Sequence, residues 1–523
     1  MFGQQNVGKY KSISSLVLPN IFIAKNEVKT SKVEAYSQMT LVQKKTYLMR
    51  LFGADSPIIG QNDQKIKFIE RKIIQHLSTE QKFYSKEDKN MQLFILGNKV
   101  QAALTQLQNP SNCSSARILV CKLEQNCGFG CAMHHVSYCL SIASGLGRTL
   151  IFEDEGSKWA YNVTWNEMFE QITNCSYLEH VKPFLPIQTY SDPGQNDRII
   201  FLDRRWDMCK VLKKELPHAP EVAPNEIKNL ILGNHSNPSL WFLGQIIKFA
   251  GRENEKTRNA TEQIVSTIPF ECGPVVGIHV RLTDKKAETK LHHLEDYMKC
   301  VDFWFDIMGQ PLINNSLNTN CTNKRMLFIA TDEPKVVLEE ANKKWGDKYE
   351  IYHGRQNAQY GYNHGDPERI SRDALIDLLA EIRILSRCQF VVCTFSSNVC
   401  RLVYELMQTV QGEASENVHS LDYMYAEYWF ENEMEAIAEY KSIPEYPVTP
   451  EEINAEKGDS HTTKWLYKRK NLKTNKEGRF PMYLLKEYVK FENFSAFNFI
   501  LQLNKNLKVI CRRANYLVSP TNN

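Results

Sequence analysis

Three clusters in this chain of 523 residues have side chains suited to a charged ligand. The first is His279-Val-Arg281-Leu-Thr283-Asp284-Lys285, where alternation along an extended backbone puts His279, Arg281 and Thr283 on one side. A guanidinium offers a planar fork of donors that stays charged, which suits a phosphate; the same arginine beside an aspartate would instead make a structural ion pair. The second cluster is Thr331-Asp332-Glu333 and the third Ser396-Ser397. Glu381 stands apart from them. On a helix predicted from about Pro367 to Ser386, the residues Ala374, Leu375, Leu378, Ile382 and Leu385 form an apolar stripe, and Glu381 falls near its centre. A carboxylate buried there needs a specific partner, either an internal salt bridge or a ligand with N–H donors such as a purine.

The elements that must position these residues are short and β-rich. Val275 to Val280, Met326 to Ala330 and Phe390 to Phe395 are nearly continuously apolar, as strands covered on both faces should be, and they alternate with helical patterns. The middle of the chain therefore predicts an α/β sheet. In open α/β sheets ligands bind beyond the carboxyl ends of the strands, which is where all three clusters stand.

Residues 1–60 are polar and irregular. From Gln64 to Gln108 an apolar spacing of three and four recurs (Ile66, Ile69, Ile73, Ile74, Leu77, then Leu93, Leu96, Val100, Leu104, Leu107) and predicts one or two amphipathic helices. Their stripe must be covered either by the same domain or by a second copy of the chain. Past about residue 430 an acidic and aromatic stretch leads to Pro444, Pro447 and Pro450, a linker. The segment from about Val448 to Phe494 has the size of a small β barrel, with Gly478 to Tyr483 as a turn and late strand.

At 42% hydrophobic and 24% charged residues, the composition is that of a soluble globular protein and sets aside a disordered chain or a polytopic membrane protein. A net charge of +4 is too small for a dedicated nucleic-acid binder. Of fourteen cysteines, six lie between Cys113 and Cys175, which suggests a disulfide framework, a metal site or a redox centre. Cys121, Cys127, Cys131 and Cys139 with His134 and His135 fit a zinc site loosely, although structural zinc more often uses closely paired cysteines. Eight Asn-x-Ser/Thr sequons, against about five expected by chance, favour disulfides and the secretory pathway. Gly128 and Gly130 flank Phe129, so a tight loop can close there and bring backbone N–H groups to an anion. The apolar run Ile13 to Ala24 is shorter than the roughly 20 residues that span a bilayer and is broken by Pro19 and Asn20, so no transmembrane segment is evident.

From about Leu107 to Tyr425 the chain resembles the eukaryotic core α1,6-fucosyltransferases, through LQNPSNC, CGFGCAMHHVSYC, RTLIFE, GIHVRLTDK, ATDEP, FVVCTFSSNVCRLVYELMQT and HSLD in that order. The resemblance covers about six-tenths of the chain. It implies a GT-B-like α/β catalytic region with a Rossmann-like nucleotide-binding subdomain, an α-helical stem before it and a small SH3-like β barrel after it. The corresponding boundaries are a stem over 61–112, a first α/β subdomain over 113–265, a GDP-fucose-binding subdomain over 266–440, a reduced SH3-like domain over 448–495 and a tail over 496–523.

The resemblance further implies an inverting, metal-independent transfer of fucose from GDP-fucose to the 6-OH of the innermost GlcNAc of N-glycans. Without a divalent ion, protein cations and donors must meet the charge developing on GDP. Arg281 would hold the β-phosphate with help from Ser397, and His279, Asp332, Glu333, Glu381, Gly128, Phe129 and Tyr161 would line the donor pocket. Glu288 would be the base, if one residue is deleted after Lys285, with Lys285 beside it. Asp422, Asn398 and Asp207 would face the acceptor. The family's disulfides would be Cys113–Cys175, Cys121–Cys139, Cys127–Cys131 and Cys393–Cys400, leaving Cys209, Cys272, Cys300, Cys321, Cys388 and Cys511 without an assigned partner. A Golgi-lumenal, membrane-anchored homodimer, joined through its stem, is also implied.

The departures concern both substrates. The family motif has two adjacent arginines where this chain has Arg281-Leu282, and Glu333 and Glu381 stand where the family has aspartate. Tyr423 and Ala426 replace an acidic and an aromatic residue beside Asp422, and the SH3-like segment is shortened. These changes leave open a paralogue that binds nucleotide or glycan without transfer, or an enzyme with another glycan acceptor.

Overall fold

The computed structural model describes residues 86–123, 128–153, 156, 158–190, 196–202, 217–218, 222–287, 289–308, 321, 323–354, 371–422, 425, 434–436, 466–470, 477–481, 485–487 and 489–498. The chain divides into two compact units, one of Tyr84–Glu433, Glu456–His461 and Glu487–Asn523, the other of Met1–Phe83, Met434–Ala455 and Thr462–Lys486.

The first of these units contains two parallel sheets. The smaller has the order β2-β1-β4-β3, from β1 (Ile118–Cys121), β2 (Thr149–Phe152), β3 (Gln188–Thr189) and β4 (Ile199–Leu202). The larger is built from β6 (Val275–Val280), β7 (Arg325–Thr331), β8 (Tyr349–His353), β9 (Phe390–Cys393) and β10 (Val418–Ser420). Their order across the sheet is β8-β7-β6-β9-β10. Numbered within this sheet, that is 3-2-1-4-5, the order of doubly wound nucleotide-binding sheets. The direction of winding reverses between β6 and β9, and there the loops leaving the two carboxyl ends part to make a crevice. All six residues of β6 are buried, which accounts for its unbroken apolar run.

Three helices form the layer that joins the sheets: α2 (Phe129–Leu146), α3 (Pro238–Ala250) and α8 (Asn398–Gln411). Helix α3 is apolar on nearly all sides and buried on nearly all sides, as a central helix must be. Asn237 caps it by accepting from Leu240 N, and Pro238 occupies its first turn. Where α3 crosses α8, Gly244 lies so near the backbone that a Cβ would overlap the Glu405 carbonyl oxygen. The remaining helices are α1 (Lys86–Gln108), α4 (Glu255–Val265), α5 (Leu294–Met308), α6 (Pro334–Trp345) and α7 (Arg372–Arg387).

Helix α1 is the described part of the expected stem. Its stripe Leu93, Leu96, Val100, Ala103 and Leu104 is buried against the same unit, so the same domain covers it. Helix α7 starts later than the expected Pro367: Ser371 is extended and its hydroxyl accepts from Ala374 N, which sets the first turn at Arg372.

The strand β15 (Lys490–Glu492) pairs in parallel with β5 (Val222–Pro224), and Phe494 and Phe497 pack edge-on against Phe242 of α3. Residues 490–497 thus close the core of the first unit, where the sequence pattern assigns them to the SH3-like segment and the tail. A three-residue strand carries no pattern that announces so distant a partner. In the other unit, β12 (Leu466–Lys470) and β13 (Glu477–Pro481) form an antiparallel ladder, and β11 (Met434–Ala436) pairs with β14 (Leu485–Glu487).

Disulfides join Cys113 to Cys175, Cys121 to Cys139 and Cys393 to Cys400. Cys131 is also bonded, while Cys127 lies outside the described residues. A further bridge joins Cys272 to Cys321, two cysteines for which the sequence had offered no partner; their separation of 49 residues is spanned by the β6–α5 excursion that returns to β7. In an unobstructed helix, glycine to alanine is stabilising by roughly 1 kcal/mol. Gly244→Ala should instead lower the midpoint of thermal unfolding, because the overlap with α8 costs about 1–3 kcal/mol by overpacking; an unchanged or higher midpoint would contradict the crossing.

Candidate active site

The crevice between β6 and β9 is organised around the carboxylate of Asp332, the residue after β7, which is 2% exposed. It accepts from Leu282 N at 2.9 Å, Thr283 N at 3.2 Å and Thr283 Oγ1 at 2.6 Å, and Arg281 Nε lies 3.3 Å away. Burial alone would raise its pKa, but the Arg281 guanidinium and the three hydrogen bonds outweigh it and hold the group below the usual aspartate value. The loop after β6 is thereby wrapped around one anion. Thus Arg281 does form the ion pair that was one of its two expected roles, and the pair fixes where its guanidinium sits.

Lys285 lies on the short helical turn Asp284–Ala287 and is buried. Its Nζ donates to the Ser396 carbonyl oxygen at 2.6 Å, so it ties the β6 loop across the crevice to the β9 loop. Ser396 N in turn donates to both carboxylate oxygens of Asp422 at 3.3 Å, and Ser420 Oγ donates to Asp422 at 2.9 Å. Phe395 N donates to Ser420 Oγ. The strand-end residues of β6, β7, β9 and β10 are thus linked. Beneath them Tyr297 of α5 is fully buried; burial, with Asp422 and Asp332 nearby, pushes its phenol far up. A phenol in that place is a neutral strut.

Ser397 is the residue that leads into α8, and its backbone N–H donates to the Thr394 carbonyl oxygen. The Gly128-Phe129-Gly130 element opens α2. A Cβ on Gly130 would stand 2.8 Å from the carbonyl carbon of Asn398 and 2.9 Å from Val399 N, so only glycine lets the first turns of α2 and α8 abut. Two helix N-termini then converge, each with unpaired N–H groups and the positive end of its dipole. Phe129 is fixed from behind by an aromatic cluster with Trp159, Trp165 and Phe169, with ring centroids 4.8–6.3 Å apart. Tyr161, in the same core, has φ of 62°, a left-handed conformation unusual for a tyrosine.

His279 is buried on β6, opposite Ala330 of β7. Glu333 precedes α6, with its N–H donating to Thr331 Oγ1. Glu381 is 3% exposed, and its side chain lies against Gly354 just beyond β8, so it belongs to the same carboxyl edge of the sheet as Asp332. Asn398 accepts from Arg401 at 2.6 Å. The structure therefore brings together His279, Arg281, Lys285, Asp332, Glu333, Glu381, Ser397, Gly128, Phe129, Asn398 and Asp422 at or beside the crevice. Glu288 and Asp207 lie outside the described residues.

Sequence reasoning overlooked Tyr297 and the pair His134–Glu405. His134 Nε2 is 2.8 Å from Glu405 Oε2, and Tyr425 donates to Glu405 at 2.5 Å. A glutamate on the buried face of α8 was the available signal, by the same reasoning that singled out Glu381.

A family model for alpha-(1,6)-fucosyltransferase N- and catalytic domains matches residues 21–426, more than three-quarters of the chain. The chain is 32% identical over 352 residues to an alpha-(1,6)-fucosyltransferase of Caenorhabditis elegans, covering 65% of this chain and 58% of that protein. It is 33% identical over 411 residues to an alpha-(1,6)-fucosyltransferase of Drosophila melanogaster, covering 75% of this chain and 60% of that one. The chain thus spans about three-fifths of the length of these relatives. Among solved structures, that of NodZ alpha-1,6-fucosyltransferase soaked with GDP-fucose is 13% identical with a TM-score of 0.29, over 56% of this chain and 92% of that one, a likeness too low to argue from. The match of the family model, together with the two relatives, establishes that the chain belongs to the alpha-(1,6)-fucosyltransferase family.

Proposed function

We propose that this chain is an inverting glycosyltransferase of GT-B-like architecture that moves L-fucose from GDP-β-L-fucose to the 6-OH of the innermost GlcNAc of N-glycans. The observation that carries the reading is the cationic crevice at the winding reversal, where Arg281 is oriented by Asp332, Lys285 clamps the β9 loop, and two helix N-termini meet. A nucleoside diphosphate fits that charge. Its diphosphate would lie over the first turns of α2 and α8 with Arg281 and Ser397, and its guanine would lie toward His279 and Glu381, whose carboxylate can accept from the purine N–H groups.

In the transfer, a lone pair of the acceptor 6-OH attacks C1 of fucose from the side opposite GDP. The C1–O bond to the β-phosphate breaks as the new bond forms, which turns the β-linked donor into an α-fucoside. The hydroxyl proton goes to Glu288, the residue directly after the turn that carries Lys285. The negative charge gained by GDP is met by Arg281, by Lys285 and by the helix N-termini, so no step calls for a divalent ion. Asp422, Asn398 and Asp207 are assigned to the acceptor, and Golgi-lumenal residence follows from that substrate.

A stem-mediated homodimer also fits. Beyond its buried stripe, α1 carries Met91, Phe94 and Ile95 at exposures of 59%, 58% and 43%, a second apolar face at helical spacing.

GDP release from GDP-fucose with a truncated N-glycan should be at least a hundred-fold slower for Arg281→Ala and for Glu288→Gln than for the wild type, and unaffected by a chelator; equal background turnover in all three would leave a binding protein rather than an enzyme. Leu282 keeps the backbone role of its position through its N–H to Asp332 but supplies no cation. A charge-assisted contact is worth about 1.5–3 kcal/mol. Leu282→Arg should therefore tighten GDP binding in calorimetry by roughly ten-fold or more, and no gain would mean that the diphosphate does not pass this side chain. Light scattering should give a dimer mass that falls to the monomer when Phe94 is changed to aspartate.

A further inference from the structure

Two sequons share one disulfide. Asn112-Cys113-Ser114 and Asn174-Cys175-Ser176 both have cysteine at the middle position, and Cys113 is bonded to Cys175, 62 residues further on. Such bridges persist in the oxidising secretory compartments where asparagine is also glycosylated. Both asparagines are exposed, yet their amides are held differently. Asn112 accepts from Ser114 N at 3.0 Å through its carbonyl oxygen, a turn confined to the sequon itself. Asn174 donates from Nδ2 to the Pro110 carbonyl oxygen at 3.3 Å, and its Oδ1 lies 3.7 Å from Cys113 Sγ and 3.5 Å from Cys175 Sγ. With the bridge closed, the nitrogen that would be modified on Asn174 is therefore engaged across it, to the strand of chain that carries Cys113.

The order of synthesis widens the difference. Cys113 is made 62 residues before Cys175, so at ~5–20 residues per second the first sequon stands for roughly 3–12 s before its bridging partner exists. Asn174 has no such interval, because Cys175 is the next residue and Cys113 is already waiting. Bridge formation takes seconds or longer, the same range as that interval.

We propose that Asn112 is N-glycosylated and that closure of the Cys113–Cys175 bridge keeps Asn174 largely unmodified. The donor is a lipid-diphosphate-linked oligosaccharide of the secretory pathway. Asn112 Nδ2 bonds to C1 of its first sugar as the C1–O bond to the diphosphate breaks. The amide proton passes to a base of the transferring enzyme, and the lipid diphosphate departs. This modification is independent of whether the chain transfers fucose.

The test is site occupancy in the full chain expressed in insect cells and recovered from total lysate, so that misfolded chains are counted. Peptide N-glycosidase in heavy-oxygen water marks each formerly glycosylated asparagine as labelled aspartate for mass spectrometry. In the wild type, Asn112 should be occupied in most molecules and Asn174 in a small minority. Cys113→Ser keeps Asn112-Ser-Ser as a sequon but removes the bridging partner, and Asn174 occupancy should then rise several-fold while Asn112 stays occupied. An unmodified Asn112 in the wild type, or an Asn174 occupancy that does not move in Cys113→Ser, overturns the proposal.

Discussion

A carboxylate that is almost wholly buried must be compensated, and the loop after β6 has the shape it has because Asp332 is compensated by that loop. Two backbone N–H groups, one hydroxyl and one guanidinium converge on it from three successive residues, Arg281 to Thr283. The consequence is that Arg281 is oriented by a residue on the neighbouring strand. The pairing of β6 with β7, which sets His279 opposite Ala330, is what puts Asp332 within reach. The same logic repeats across the crevice, where Asp422 gathers Ser396 N and Ser420 Oγ and the Lys285 ammonium is anchored on the Ser396 carbonyl oxygen.

This construction fixes its cations with a buried carboxylate and a backbone carbonyl rather than with solvent-exposed ion pairs. Surface pairs are screened and contribute little, whereas contacts buried at strand ends are held by the sheet itself. The Cys393–Cys400 bridge adds to this by closing the segment between β9 and the first turn of α8 into a small ring. The loop that would face a diphosphate thus loses its conformational freedom during folding, and less remains to be lost when a ligand binds.

Much of this was legible in the sequence where a residue's environment is set by its near neighbours. The strands β6, β7 and β9 stand out because both of their faces are covered, and the strand-end rule then points to Arg281, Asp332 and Ser397. The position of Glu381 follows from helical period alone. What was not legible depends on partners far apart in the chain: the strand order that puts β9 beside β6, the clamp from Lys285 to Ser396, the approach of Gly130 to Asn398, and the bridge between Cys272 and Cys321. Ser371 shows a smaller case. The apolar stripe begins at Ala374, inside α7, so it does not mark the first turn; the Ser371 cap does.

The pairing of β15 with β5, and the bond from Tyr425 to Glu405 of α8, pin both ends of the chain between Tyr425 and Lys490 to one core. The entropy lost in pinning the ends of such an excursion grows only with the logarithm of its length, by about 0.6 kcal/mol for each doubling. Its size is therefore almost invisible to the stability of the core that closes it. A change of length there costs the first unit next to nothing so long as Phe494 and Phe497 still reach Phe242, which leaves that region free to vary while the crevice stays as it is.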